Sequence, residues 1–173
     1  MTLATTALMI AGIIAVLLLA CYALPSAKTV TRSAVIDANA DRIYPLIASN
    51  QGFQRFNPYC DADPDLKIEH FGPENGVGSG FAFNGKDGKG TQTIIEAEQN
   101  SQVKMLIDLG AMGKPIQTFL LEDQGNGTKV VWSTRADFGN NPVGRVFGLF
   151  LEKMLGRTYE RGLTNLANVV AVS

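Results

Sequence analysis

Turn chemistry cuts the middle of this chain into pieces too short for anything but hairpins. Pro73-Glu74-Asn75-Gly76, Asn84-Gly85, Asp87-Gly88, Gln99-Asn100-Ser101 and Gly125-Asn126-Gly127 interrupt it in turn. Between and around the cuts lie runs of strand length with no helical period: Leu66–Phe71, Val77–Phe83, Thr91–Glu98, Val103–Leu109, Ile116–Glu122 and Lys129–Phe138. A parallel crossover needs about a dozen connecting residues or more, so these strands must pair antiparallel. A further strand over Val30–Asp37 precedes a short helix capped by Asn39, with Ile43, Leu46 and Ile47 on one face and Pro45 limiting its length. A second helical turn is expected over Gln51–Phe56. After the strands, apolar residues recur every three to four positions from Pro142 to Val170, which predicts one long amphipathic helix. The fold class is therefore α+β: a curved seven-stranded antiparallel sheet burying its apolar face against a C-terminal helix.

The glycines of that helix qualify the picture. Gly144, Gly148, Gly156 and Gly162 each cost about 1 kcal/mol against Ala in a helix interior. They predict close contact with the sheet, or space kept for something else.

Charge divides the chain in two. No Lys, Arg, Asp or Glu precedes Lys28, and Ala7–Leu24 is an uninterrupted apolar run ended by Pro25. As a helix those residues reach about 27 Å, close to the roughly 30 Å of a hydrocarbon core. Residues 1–27 are accordingly expected to be a transmembrane anchor, with a cleaved signal segment as the alternative. The anchor is preferred because no basic residue precedes the run, which is also longer than an ordinary signal core. Leu18-Leu19-Ala20-Cys21 only faintly matches a lipoprotein signal. Lys28 and Arg32 follow the run, so the positive-inside rule puts the soluble part, 28–173, on the cytoplasmic side of a single-pass protein.

Composition removes many chemistries. The net charge of −1 gives no footprint for nucleic acid. Two cysteines, Cys21 and Cys60, make neither a disulfide framework nor a zinc site. The single histidine, His70, sits on a strand where alternation aims it inward, and without a carboxylate or serine partner it reads as structural. Gly76–Gly80 lacks the following helix of a dinucleotide loop, so its glycines belong to a hairpin. Asp61, Asp63 and Asp65 alternate like a calcium loop but lack the Gly and Glu that would complete one. Lys104 with Asp108, and Arg135 with Asp137, read as solvent-facing ladder residues. No catalytic residue, metal site or cofactor is assigned.

Several segments, in order, carry a family resemblance: SAVIDANADRIYPLIAS, FQRFNPY, GVGSGFAFNG, GKGTQTIIEAEQN, VKMLIDL, GTKVVWST and LGRTYERGLTNL. Together they resemble the START-like (SRPBCC) superfamily, in particular its bacterial polyketide cyclase/dehydrase branch. Phe53 and Phe56 stand where that branch usually shows tryptophan. The resemblance implies a helix-grip fold with an apolar cavity between sheet and C-terminal helix. Phe53, Phe56, Tyr59, Phe81, Phe83, Trp132, Phe147, Phe150, Met154 and Tyr159 are the candidate lining residues, with Thr91, Thr93 and Ser133 or Thr134 as polar groups that would orient a ligand. The small face-mates of Trp132 (Val130, Thr134 and Ala136) are read as leaving room beside its ring. The implied function is binding or carriage of a hydrophobic small molecule (a lipid, quinone or polyketide-like compound) at the membrane. Alternatives are a cyclase or dehydratase acting on a bound polyketide, and an accessory protein whose cavity is filled.

Overall fold

A computed structural model describes residues 3–172; of residues 3, 4, 7, 11, 14 and 17 it describes the backbone alone. An N-terminal helix, α1 (Leu3–Tyr22), leads within a few residues into β1 (Ala27–Ile36). Three short helices follow: α2 (Ala40–Ile47), α3 (Asn50–Gln54) and α4 (Pro58–Ala62). The meander then runs through β2 (Lys67–Phe71), β3 (Gly80–Gly85), β4 (Gly88–Glu98), β5 (Gln102–Asp108), β6 (Ile116–Asp123) and β7 (Thr128–Asp137). Two helices close the chain, α5 (Pro142–Gly148) and α6 (Leu151–Ala171). The strands form one antiparallel sheet in the order β1-β7-β6-β5-β4-β3-β2. A register shift between Ile94 and Glu96 marks a bulge in β4, the device by which a sheet bends.

Every expected strand is present, with ends moved by a few residues. α2 forms over the expected apolar face, burying Ile43, Leu46 and Ile47. Asn39 caps it by backbone position and makes no side-chain capping bond. α3 is capped by Ser49, whose hydroxyl accepts from the Gly52 amide. The helix α4 was not foreseen. It starts on Pro58 at its first position, with Asn57 accepting from the Tyr59 amide.

The single C-terminal helix expected over 142–170 is two helices, broken at Leu149 and Phe150. Phe138 sits against the α5 backbone, where a Cβ on Gly144 would lie 3.0 Å from its ring and one on Gly148 only 2.6 Å away. The ring approaches the α5 backbone so closely that no side chain larger than hydrogen fits at Gly148 without a shift. The other two helix glycines are contact points too. Gly162 lies flat against the Trp132 ring, and Gly156 lies under the Arg32 guanidinium. Arg32 in turn donates to Glu152 and Glu160, both at 2.7 Å, tying β1 to α6.

Among the described residues no helix is long and apolar enough to cross a membrane, so the transmembrane span expected over residues 1–27 is not shown by them. The run assigned to it includes Ala7, Ala11, Ile14 and Leu17, whose side chains lie outside the described residues, as do Met1 and Thr2 altogether. The described side chains of α1 include Leu8, Ile10, Ile13, Val16 and Leu19, all exposed.

Candidate functional site

The inward face of the sheet is built from alternation. In β6, Gln117, Phe119 and Leu121 are buried while their neighbours are less so; in β7, Thr128, Val130, Trp132 and Thr134 are buried. Pairing sets these residues side by side in two rows. One row is aromatic and aliphatic: Trp132 opposite Phe119, and Phe119 opposite Val103. The next row is partly polar: Thr134 opposite Gln117, and Gln117 opposite Met105.

Rings from the helices close over the first row. Tyr159 of α6 stacks on Trp132, with centroids 4.5 Å apart and planes at 12°. Phe119 lies 4.7 Å from Trp132, and Phe53 and Phe56 each 6.2 Å from it. Phe53 stacks on Phe81 at 5.7 Å. The space expected beside Trp132 is therefore taken by rings from α3, β6 and α6, so its small face-mates do not leave it open.

Five of the ten expected lining residues meet in this interior: Phe53, Phe56, Phe81, Trp132 and Tyr159. Phe83 and Tyr59 are half-buried at its margin. Phe147, Phe150 and Met154 do not face it; they are 47%, 55% and 52% exposed. They lie at and around the break at 149–150, where the apolar side of the chain is left uncovered. Two open concavities among the described residues take in none of the ten. One lies along α1. The other, about 360 Å³ and open to solvent, lies between β1 and α6 and is lined in part by Ala34, Leu163 and Ala167.

The polar groups differ from those expected. Thr134 is inside, and accepts a 2.7 Å hydrogen bond from the Tyr159 hydroxyl. Thr91 and Thr93 share the opposite face from the buried Gln92 and Ile94. Gln92 and Gln117 were missed, since glutamine at an alternating position reads as a solvent-facing residue. Both amides donate to one thioether, Met105 Sδ, at 3.0 Å and 3.4 Å, and a thioether is a weak acceptor. The Trp132 indole N–H is buried and has no partner at all. A buried donor left unsatisfied costs about 1–3 kcal/mol. Among the described residues, the side-chain nitrogens of Gln92, Gln117 and Trp132 thus have weak or missing acceptors in this interior, and the buried Gln54 Nε2 likewise has none.

His70 lies on β2, an edge strand, where it is exposed beside Phe81 at 6.4 Å between ring centroids. The inward alignment was right, but at the sheet edge nothing covers it. Asp63 accepts from the Lys86 and Asp65 amides and pins the β3–β4 hairpin tip. No cluster of metal-ligating side chains occurs among the described residues.

Burial, reinforced by Tyr59, pushes the Tyr159 phenol far above its ordinary range, against the opposing effect of its bond to Thr134. Burial and then Asp87 push Tyr59 up to about 12. Both therefore stay protonated at neutral pH, and Tyr159 donates to Thr134. Above about pH 10 the unfolded chain loses these protons while the folded one keeps them, so stability must fall as pH rises. Each phenol contributes up to about 1.4 kcal/mol per pH unit in that window. Tyr159→Phe is expected to flatten the fall in melting temperature between about pH 10 and pH 12; an unchanged slope would mean that Tyr159 ionises freely in the folded protein.

Solved structures share this architecture. Norcoclaurine synthase from Thalictrum flavum, in complex with dopamine and hydroxybenzaldehyde, superposes with a TM-score of 0.61 at 17% identity, over 84% of this chain and 87% of that one. Protein CV1439 from Chromobacterium violaceum gives 0.60 at 14% identity, over 83% and 96%. Protein MLL2253 from Mesorhizobium loti gives 0.58 at 15%, over 82% and 98%. At these identities the likeness establishes the fold alone. No curated protein matches the chain. The model of the family described as polyketide cyclase/dehydrase and lipid transport matches residues 27–171. With the helix-grip sheet, the interior rings and that match in place, this chain is a member of the polyketide cyclase/dehydrase and lipid-transport family, within the START-like (SRPBCC) superfamily.

Proposed function

We propose that the domain binds a hydrophobic small molecule inside the grip, with an apolar body and at least one carbonyl or hydroxyl oxygen. The observation that carries this reading is the set of underused donors around Trp132, Gln92 and Gln117. A core selected for stability alone would hold apolar residues there, since buried polar groups without good partners destabilise. An oxygen acceptor from a quinone or polyketide-like ligand would satisfy what the protein leaves open. The ligand displaces rings of α3 and α6 while the sheet wall stays in place. A protein of the same fold, norcoclaurine synthase, forms a complex with dopamine and hydroxybenzaldehyde, which are small oxygen-bearing molecules.

Binding is preferred to cyclisation on one ground. The buried phenols are held protonated and His70 is exposed at the edge, so the interior offers donors rather than a base. Mass spectrometry of the full-length protein extracted in mild detergent is expected to find an oxygen-bearing hydrophobic compound in near-equal amount to the protein. Protein that is folded and repeatedly empty, and that takes up no such compound when offered one, would refute the reading.

The tether is part of the same proposal. The charge-free run before Lys28 and the apolar exposure of α1 support a helix placed in lipid. A ligand that partitions into the bilayer then meets its site at high effective concentration. The basic residues after the run support a cytoplasmic domain. Full-length protein is expected to stay in the membrane pellet after a carbonate wash, and a soluble mature form starting after the run would overturn the tether.

A further inference from the structure

The break between α5 and α6 leaves an apolar corner that the fold does not use. Val143, Val146, Phe147, Leu149, Phe150 and Met154 are between 37% and 76% exposed, all within twelve residues of chain. So many large apolar side chains in one short exposed stretch are unusual for a protein surface facing only water.

The corner is fixed to the end of α1. Arg145 of α5 donates to the Tyr22 carbonyl at 2.6 Å and to the Leu24 carbonyl at 3.1 Å. Its guanidinium also lies over the Tyr22 ring, 5.3 Å from the centroid. The apolar surface of α5 therefore continues the apolar surface of α1 where that helix ends. On α6, Lys153, Arg157 and Arg161 are exposed at i, i+4, i+8 spacing, a cationic row beginning at the same corner. Glu152 and Glu160, their acidic neighbours on the adjoining face of the helix, are bound to Arg32.

We infer that this corner is a bilayer-docking surface: the apolar side chains of Val143, Val146, Phe147, Leu149, Phe150 and Met154 enter the headgroup–acyl boundary, and the Lys153–Arg157–Arg161 row lies on anionic headgroups. Apolar insertion beside a basic row is the physics of an interfacial helix. The inference rests on the tether proposed above, and it adds a second attachment that fixes how the domain sits on the membrane. Two contacts, α1 and the corner, orient the domain where one would leave it swinging.

The test uses the full chain reconstituted in vesicles of phosphatidylcholine with and without phosphatidylglycerol. A Phe147→Cys variant, with Cys21 and Cys60 changed to Ser, carries an environment-sensitive dye; a Val77→Cys variant carries the same dye at an exposed loop position as control. The expected result is blue-shifted emission at position 147, quenched by lipids spin-labelled near the headgroup and strengthened by phosphatidylglycerol, with neither effect at position 77. Protein that floats with the vesicles yet shows no difference between the two positions would overturn the docking surface and leave the tether standing. Protein that does not float at all would overturn both. Energy transfer between labelled copies at position 147 without lipid quenching would assign the corner to self-association, and would also overturn the inference. Lys153→Glu with Arg157→Glu in the Phe147→Cys background, which change exposed residues only, are expected to keep the fold and to abolish the phosphatidylglycerol dependence.

Discussion

Trp132→Ala is expected to remove about 3–5 kcal/mol of stability, the usual cost of deleting a fully buried large aromatic side chain. Its ring is 0% exposed and is met by Tyr159, Phe119, Phe53 and Phe56, and by the Gly162 backbone. Those neighbours come from α3, the turn after it, β6 and α6, so no single element can collapse into the gap. Since a natural domain has about 5–15 kcal/mol in all, much of the total should vanish. Urea unfolding followed by far-ultraviolet circular dichroism measures it. A loss under about 1 kcal/mol would mean that the ring is not the centre of the core.

Gln117→Leu is expected to act in the opposite direction on stability and strongly on binding. The Gln117 side chain is 2% exposed, and its amide reaches only the Met105 sulfur. Removing a poorly partnered buried amide in favour of a similar apolar volume is neutral or stabilising. A ligand oxygen that accepts from that amide would lose a hydrogen bond, and about 1.4 kcal/mol is tenfold in affinity. The predicted pattern is therefore an unchanged or raised melting temperature with about a tenfold weaker Kd. A stability loss of several kcal/mol with binding unaffected would make Gln117 a structural residue and remove the main support for the binding reading. The same pattern is expected of Gln92→Leu, and because both amides share one sulfur the two effects should not simply add.

The sheet was legible in the sequence because turn dipeptides punctuate it. Asn84-Gly85 and Gly125-Asn126-Gly127 locate hairpins without any knowledge of tertiary structure. The interior rings were legible as well, since period-two alternation through Trp132 and Thr134 points both to one face. The break at Leu149 was not. Apolar residues keep recurring every three to four positions from Val146/Phe147 to Phe150/Leu151, so the local pattern of a broken helix equals that of a whole one. Phe138, a residue outside the helix, is pressed against Gly144 and Gly148 just before the break, a contact that the helix's own sequence does not announce. The same limit hid the polar row. Gln117 in IQTFLLED and Gln92 in GTQTIIEAE look like solvent-facing residues, and only the pairing across β4, β5, β6 and β7 shows that they share the buried face with Met105 and Thr134. Sequence reasoning finds where apolar surface must go, and it is least able to find polar groups buried against that trend.

Trp132 is the only tryptophan of the chain, and it sits at the centre of the proposed site, so its emission reports on the account's main claim without a label. The folded protein, stripped of bound compounds, should emit at short wavelength, as a fully buried indole does. Titration with a long-chain quinone or an aromatic polyketide should change that emission saturably, because the ligand must part Trp132 from Tyr159 and engage its N–H. A nucleotide of similar size should leave it unchanged. A flat response to quinones, polyketides and lipids alike, from protein shown to be folded and empty, would contradict ligand binding inside the grip.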